Sequence, residues 1–114
     1  MKRDETVYLR HIVDAITKVE TYLQDIDEIT FKQNSLIQDG VIRQIEIIGE
    51  ATRGLSHSFR LKYAETPWND IAGMRDKLIH HYFGVDIDKI WLTAVEDLPI
   101  LKVQIDRILV DILP

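Results

Sequence analysis

Apolar residues recur every three or four positions along most of this chain, and strand-type alternation is nearly absent. From about Thr6 to Ile29, Leu9, Ile12, Val13, Ile16, Val19, Leu23 and Ile26 form one stripe, with Asp14, Lys18, Glu20, Asp25 and Asp27 between them. That spacing predicts an amphipathic helix. Residues 30–38 are polar, with Phe31, Leu36 and Ile37 embedded, and read as a loop or a short helix. Asp39 is a candidate N-cap for the next helix, because its carboxylate can accept from free backbone N–H groups. In that helix Val41, Ile45, Ile48, Leu55 and Phe59 make a stripe that Ile42, Ile47 and Ala51 widen. A wide stripe predicts burial on more than one side, in a central helix or at a subunit contact, ending near Tyr63. Gly49 and Gly54 lie inside it. Each costs about 1 kcal/mol against alanine, which close approach of a neighbouring helix would offset.

Thr66-Pro67-Trp68 reads as the start of a third helix, with Thr66 as cap and Pro67 at the first helical position, where its missing N–H is not needed. Trp68, Ile71 and Leu78 form its inward side, and Gly84 is expected to stop it in a left-handed conformation. Asp86 then caps a fourth segment, in which Ile87, Ile90, Trp91, Ala94, Val95, Leu98, Leu101, Ile105, Ile108 and Ile112 keep the helical rhythm. Pro99 interrupts it and predicts a kink or break near Asp97. Four main helices with short connections predict an all-α, antiparallel four- to five-helix bundle, one domain over residues 1–114.

Composition narrows the function. The chain has 114 residues, a formal net charge of -5 and no cysteine. The acidic balance disfavours a protein held to nucleic acid by bulk charge, though not an enzyme that meets RNA in a local basic cleft. The acid is unevenly spread: residues 41–82 hold six basic and five acidic side chains, a net +1, so the remainder carries -6. Its plain reading is solvated helix surface; its functional reading is attraction to a basic face on a partner. Without cysteine there are no disulfides or thiolate metal sites. The Met1-Lys2-Arg3-Asp4-Glu5 start precedes no apolar leader core, and no apolar run reaches membrane-spanning length, so a cytoplasmic location is expected.

The chemistry concentrates in Gly73-Met74-Arg75-Asp76-Lys77-Leu78-Ile79-His80-His81-Tyr82-Phe83-Gly84. Arginine clamps phosphate with a permanent charge, and histidine moves protons near neutral pH. Together they suffice for metal-free RNA cleavage: imidazole helps the ribose 2′-OH attack while guanidinium stabilises the phosphorane. On a continuous helix Arg75 and Tyr82 share a side and His80 looks over the flank, with Asp76 one turn before it to orient the imidazole. One chain would then supply half a site, and two copies about a two-fold axis could bring Arg75 of one near His80 of the other. The plain alternative is that these are cap and salt-bridge residues at a helix end. Glu46 and Glu50 stand one turn apart, but no glutamate has histidine three residues on, as a di-iron bundle requires. They read as exposed charge or as an orienting partner for Arg75. His57 in Ser56-His57-Ser58 reads as a surface polar cluster, and Trp68 and Trp91 as core or interface anchors.

Residues 71–86 resemble the HEPN superfamily in its HepT-like branch, whose motif is arginine, a polar residue, three positions, histidine, any residue, tyrosine. Arg75, Asp76, His80 and Tyr82 fill it without a gap. Residues 41–51, the Pro67-Trp68 helix start and Glu96-Asp97-Leu98-Pro99 are similar to that branch too, so the resemblance spans nearly the whole chain. It implies a homodimer with a composite cleft at its two-fold axis, acting as a metal-independent ribonuclease toxin of the HepT/MntA toxin–antitoxin systems, grouped as type II or VII. It further implies Arg75 and His80 as catalytic, Asp76 as supporting, and Tyr82 as the residue that an MntA-like minimal nucleotidyltransferase antitoxin modifies with AMP from ATP. The chain itself would need no cofactor and no metal. The alternatives are a non-catalytic helical subunit that binds a nucleotide or supports a nucleotidyltransferase, and a purely structural dimer.

Overall fold

The computed structural model describes residues 4–80 and 84–113, with His80 described through its backbone alone. Helix α1 runs Glu5–Tyr22 and buries Leu9, Ile12, Ala15, Ile16 and Val19. It stops seven residues before the expected Ile29, because Asp25 takes a left-handed φ of 59° and Asp27 starts a new helix by accepting from the Thr30 N–H at 2.8 Å. That helix, α2 (Glu28–Lys32), buries Phe31.

Helix α3 (Ser35–Gly54) is the centre of the molecule, touching α1, α2 and three later helices. Its cap is Asn34 rather than Asp39. The Asn34 backbone is extended, and its side chain accepts from the Ile37 N–H at 3.0 Å. Asp39 lies exposed in the second turn. The wide stripe is buried as expected, at Val41, Ile45, Ile48 and Ala51. The helix ends at Gly54 instead of continuing to Tyr63, since Ser56 caps a separate α4 (His57–Lys62) through the Phe59 N–H. Both glycines mark close approaches. A Cβ at Gly54 would collide with the Tyr8 ring, and one at Gly49 would sit 3.3 Å from the Ala72 carbonyl oxygen.

The expected third helix is broken. It appears as α5 (Trp68–Ala72) and α6 (Met74–Leu78), separated at Gly73. Thr66 does not cap it with its side chain; instead its carbonyl accepts from the Trp68 N–H, and Pro67 holds the cap position. After Leu78 the backbone turns extended, and β1 (Ile79–His80) pairs antiparallel with β2 (Gly84–Val85), Ile79 opposite Val85 and His80 opposite Gly84. Gly84 has a left-handed φ of 80°, as expected of it, but at the start of a strand. Asp86 caps α7 (Ile87–Leu92) through the Lys89 N–H at 3.2 Å. A π turn at Thr93–Asp97 leads directly into α8 (Leu98–Ile112). Pro99 therefore produces no break. The widened turn before it absorbs the clash that its ring would make with the preceding α-helical turn.

The core joins all these pieces. Leu9, Ile12 and Ile16 of α1 share one cluster with Phe31 of α2, Ile45 and Ile48 of α3, Ile90 of α7, and Leu98 and Ile105 of α8. Each such side chain contributes about 1.5–3 kcal/mol by burial. Among the described residues no helix is long and apolar enough to cross a membrane.

Candidate functional site

Helix α6 is one and a half turns long, and its amphipathic pattern decides what it presents. Leu78 is buried and Met74 is partly buried against the core, so Arg75, Asp76 and Lys77 face outward. The helix is held against α3, where the missing side chain of Gly49 lets the end of α5 approach. That seat brings Arg75 to Glu46, one turn before Gly49. The Arg75 Nε donates to Glu46 Oε2 at 3.2 Å, and Nη1 donates to Asp76 Oδ1 at 3.4 Å. Both carboxylates are partly exposed, as is the arginine. Lys77 reaches Asp70 at 3.5 Å.

The structure corrects the helical-wheel expectation for the motif. The helix ends at Leu78, so Asp76 and His80 are not one helical turn apart, and Asp76 instead pairs with Arg75. The reason is tertiary. Ile79 and Val85 both pack on the core from opposite strands, and the Asp86 N–H donates to the Leu78 carbonyl at 2.9 Å, which closes the segment. His80 enters this pairing through its backbone. Tyr82, expected to share a side with Arg75, lies outside the described residues.

Glu46 is the orienting partner that the sequence left open, while Glu50 stays exposed. Among the described residues no group of three or more histidines and carboxylates is placed to hold a metal. Ser56 is a helix cap and His57 is exposed. Trp68 is buried and donates through its indole N–H to the Tyr63 carbonyl at 3.0 Å, and Trp91 packs on Phe31 with centroids 5.3 Å apart. Both are core anchors.

Two features escaped the sequence reading. A cleft of about 390 Å³ opens beside α6, between Ile71, Met74 and Leu78 on one wall and Thr93, Leu98 and Leu101 on the other. Its walls are separated along the chain, so no local pattern announces it. Tyr63 donates to Asp111 at 2.6 Å, and this bond, with burial, pushes the phenol up to about 12.

Residues 12–108 match the family described as ribonuclease HepT-like. The chain is 42% identical to a Thermococcus cleftensis protein named as a probable ribonuclease HepT, over 95% of this chain and 98% of that one. It is 40% identical to a Caldanaerobacter subterraneus protein named as a candidate RNase, over 90% of this chain and 91% of that one. A Methanocaldococcus jannaschii protein named as a gamma-glutamylcyclotransferase and candidate RNase is 45% identical over 96% of this chain, which spans about half (49%) of its length. No solved structure matches the chain significantly. Carrying the Arg-Asp-x3-His-x-Tyr pattern in its sequence at residues 75–82, the chain belongs to the HepT-like ribonuclease family.

Proposed function

We propose that this chain is a metal-independent RNA endonuclease toxin that works as a homodimer and is silenced by adenylylation. The observation that carries the reading is the Arg75 guanidinium, fixed at an exposed surface five residues before His80 in a chain of this family. In the reaction, His80 takes the proton of a ribose 2′-OH. The 2′ oxygen attacks phosphorus, the bond to the 5′ oxygen breaks, that oxygen takes a proton from water, and a cyclic 2′,3′-phosphate and a 5′-OH end result. Arg75 stabilises the charge that builds on the phosphorane oxygens, and Asp76 supports the arginine.

Two copies contribute to the cleft. One α6 is too short to surround a phosphodiester, and a two-fold axis places the arginine of one copy near the histidine of the other. Exposed Leu92, Val95, Ile100 and Val103 leave apolar surface along the last helices for a second copy to cover. A minimal nucleotidyltransferase antitoxin transfers AMP from ATP to Tyr82, two residues beyond His80. The added anion and its bulk compete with RNA phosphate for Arg75.

Incubation of the purified chain with RNA in EDTA tests the reaction. The wild type cleaves and His80→Ala does not. RNA left intact by both, even at high protein concentration, would point instead to a nucleotide-binding or scaffold subunit. Mass spectrometry after incubation with the antitoxin and ATP tests the control step. The Tyr82 peptide gains the mass of AMP, and an unchanged peptide would remove the regulatory half.

A further inference from the structure

We infer that Glu46 is a positioning residue for the ribonuclease reaction, acting through Arg75; the inference rests on the reading above. An arginine side chain has several freely rotating bonds, and an exposed one samples many orientations unless something holds it. Here the hold comes from a separate helix, 29 positions away in sequence, at 3.2 Å. Glu46 stands on the central helix α3, between Gln44 and Ile45 on one side and Ile48 and Gly49 on the other, all four buried. Its backbone is therefore a fixed reference for the motif.

The register is built into the same helix. Gly49 lets α3 meet the carbonyl of Ala72, and three residues on from each contact point, in opposite directions, lie Glu46 and Arg75. The seat and the clamp are one turn apart on α3. A substitution at the seat would thus release the clamp.

The pattern of donors fits positioning rather than occlusion. Glu46 takes Nε–H and Asp76 takes one hydrogen of Nη1. Among the described residues neither bond uses Nη2, so its two N–H groups and the second hydrogen on Nη1 stay available to a phosphate oxygen pair. Glu46 makes one contact and does not occupy the fork. With Glu46 at 31% and Arg75 at 44% side-chain exposure, the pair adds little to stability. Its effect is expected in the reaction instead.

The test is steady-state cleavage of a fluorogenic RNA oligonucleotide of mixed sequence in EDTA, beside thermal denaturation. Glu46→Ala lowers kcat about ten-fold or more, leaves KM within about three-fold, and leaves the melting temperature close to wild type. Glu46→Gln recovers most of the rate, because its amide oxygen still accepts from Nε. Adding Glu46→Ala to Arg75→Ala costs nothing further, since the residue has no other route to the reaction. An active wild type with Glu46→Ala equally or more active overturns the inference alone. So does a Glu46→Ala loss that multiplies with the Arg75→Ala loss or follows a fall in melting temperature. An inactive wild type overturns the ribonuclease reading as well.

Discussion

Gly49 lies directly under the carbonyl of Ala72, so close that a Cβ at that position would be 3.3 Å from the oxygen. This contact joins the central helix to the end of α5, and through Gly73 it sets where α6 and Arg75 stand. A backbone oxygen cannot swing aside as a side-chain tip can. Gly49→Val therefore forces the two segments apart, with a loss of about 1–3 kcal/mol. Thermal denaturation should show a melting temperature lower by several degrees, and an unchanged value would mean that the seat is loose. RNA cleavage should fall as well, because Arg75 is carried away from Glu46.

The start of the central helix offers a direct comparison of two candidate caps. Asn34 satisfies the Ile37 N–H, whereas Asp39 lies inside the helix with its side chain exposed. Asn34→Ala should cost about 1 kcal/mol, the usual loss when a capping amide is removed. Asp39→Ala should stay within about 0.5 kcal/mol of wild type. Urea denaturation of the two variants decides this, and the reverse ranking would restore Asp39 as the cap.

Tyr63 gives a pH dependence far from the motif. Its hydrogen bond to Asp111, with burial, raises the phenol from an ordinary value near 10 to about 12. A raised folded value means that the stabilisation is complete below pH ~10, where both folded and unfolded states keep the proton, and is lost as pH rises through about 12. Ultraviolet titration should show one phenol ionising near 12 in the wild type, and that step should vanish in Tyr63→Phe. In Asp111→Asn it should move down. A wild-type titration with no phenol ionising near 12 would contradict the bond.

Asp4 and Asp27 act in the opposite sense. Each is held below its ordinary carboxylate value, chiefly by hydrogen bonds from Thr6 and Thr30 respectively. A lowered folded value makes their contribution present above the unfolded pKa of 3.8 and lost as pH falls through the lower value. Replacing both carboxylates by amides, as Asp4→Asn with Asp27→Asn, keeps the capping oxygens but removes the titration, and should flatten the acid limb of a stability–pH profile below pH ~4. An acid limb identical to wild type would assign that sensitivity to other carboxylates.

Much of this architecture was legible in the chain because its cause is local. The stripe through Leu9, Ile12, Ile16 and Val19 is buried where the period places it, Asp86 caps the helix it precedes, and Pro99 perturbs the backbone just upstream of itself. What was not legible has non-local causes. Asp25 and Asp27 divide the first predicted helix by turn chemistry that the apolar period overrides on paper. The motif segment reads as one helix through Tyr82, yet pairing of Ile79 with Val85 and the bond from Asp86 to Leu78 end it at Leu78. For the same reason the residue types of the candidate site were readable, but their angles were not. Glu46 could be named only as one possible partner, since a distance across 29 residues depends on how Gly49 seats its neighbour.

Complementation between two crippled variants measures the shared cleft itself. Arg75→Ala is expected to keep only a small residual rate in EDTA, and His80→Ala to leave RNA intact. Co-expressed and purified together without selecting the mixed pairs, they should regain about a quarter of wild-type cleavage, because half of randomly formed dimers are mixed and each restores one of two sites. A mixture as silent as its two components would contradict a site built from the arginine of one copy and the histidine of the other.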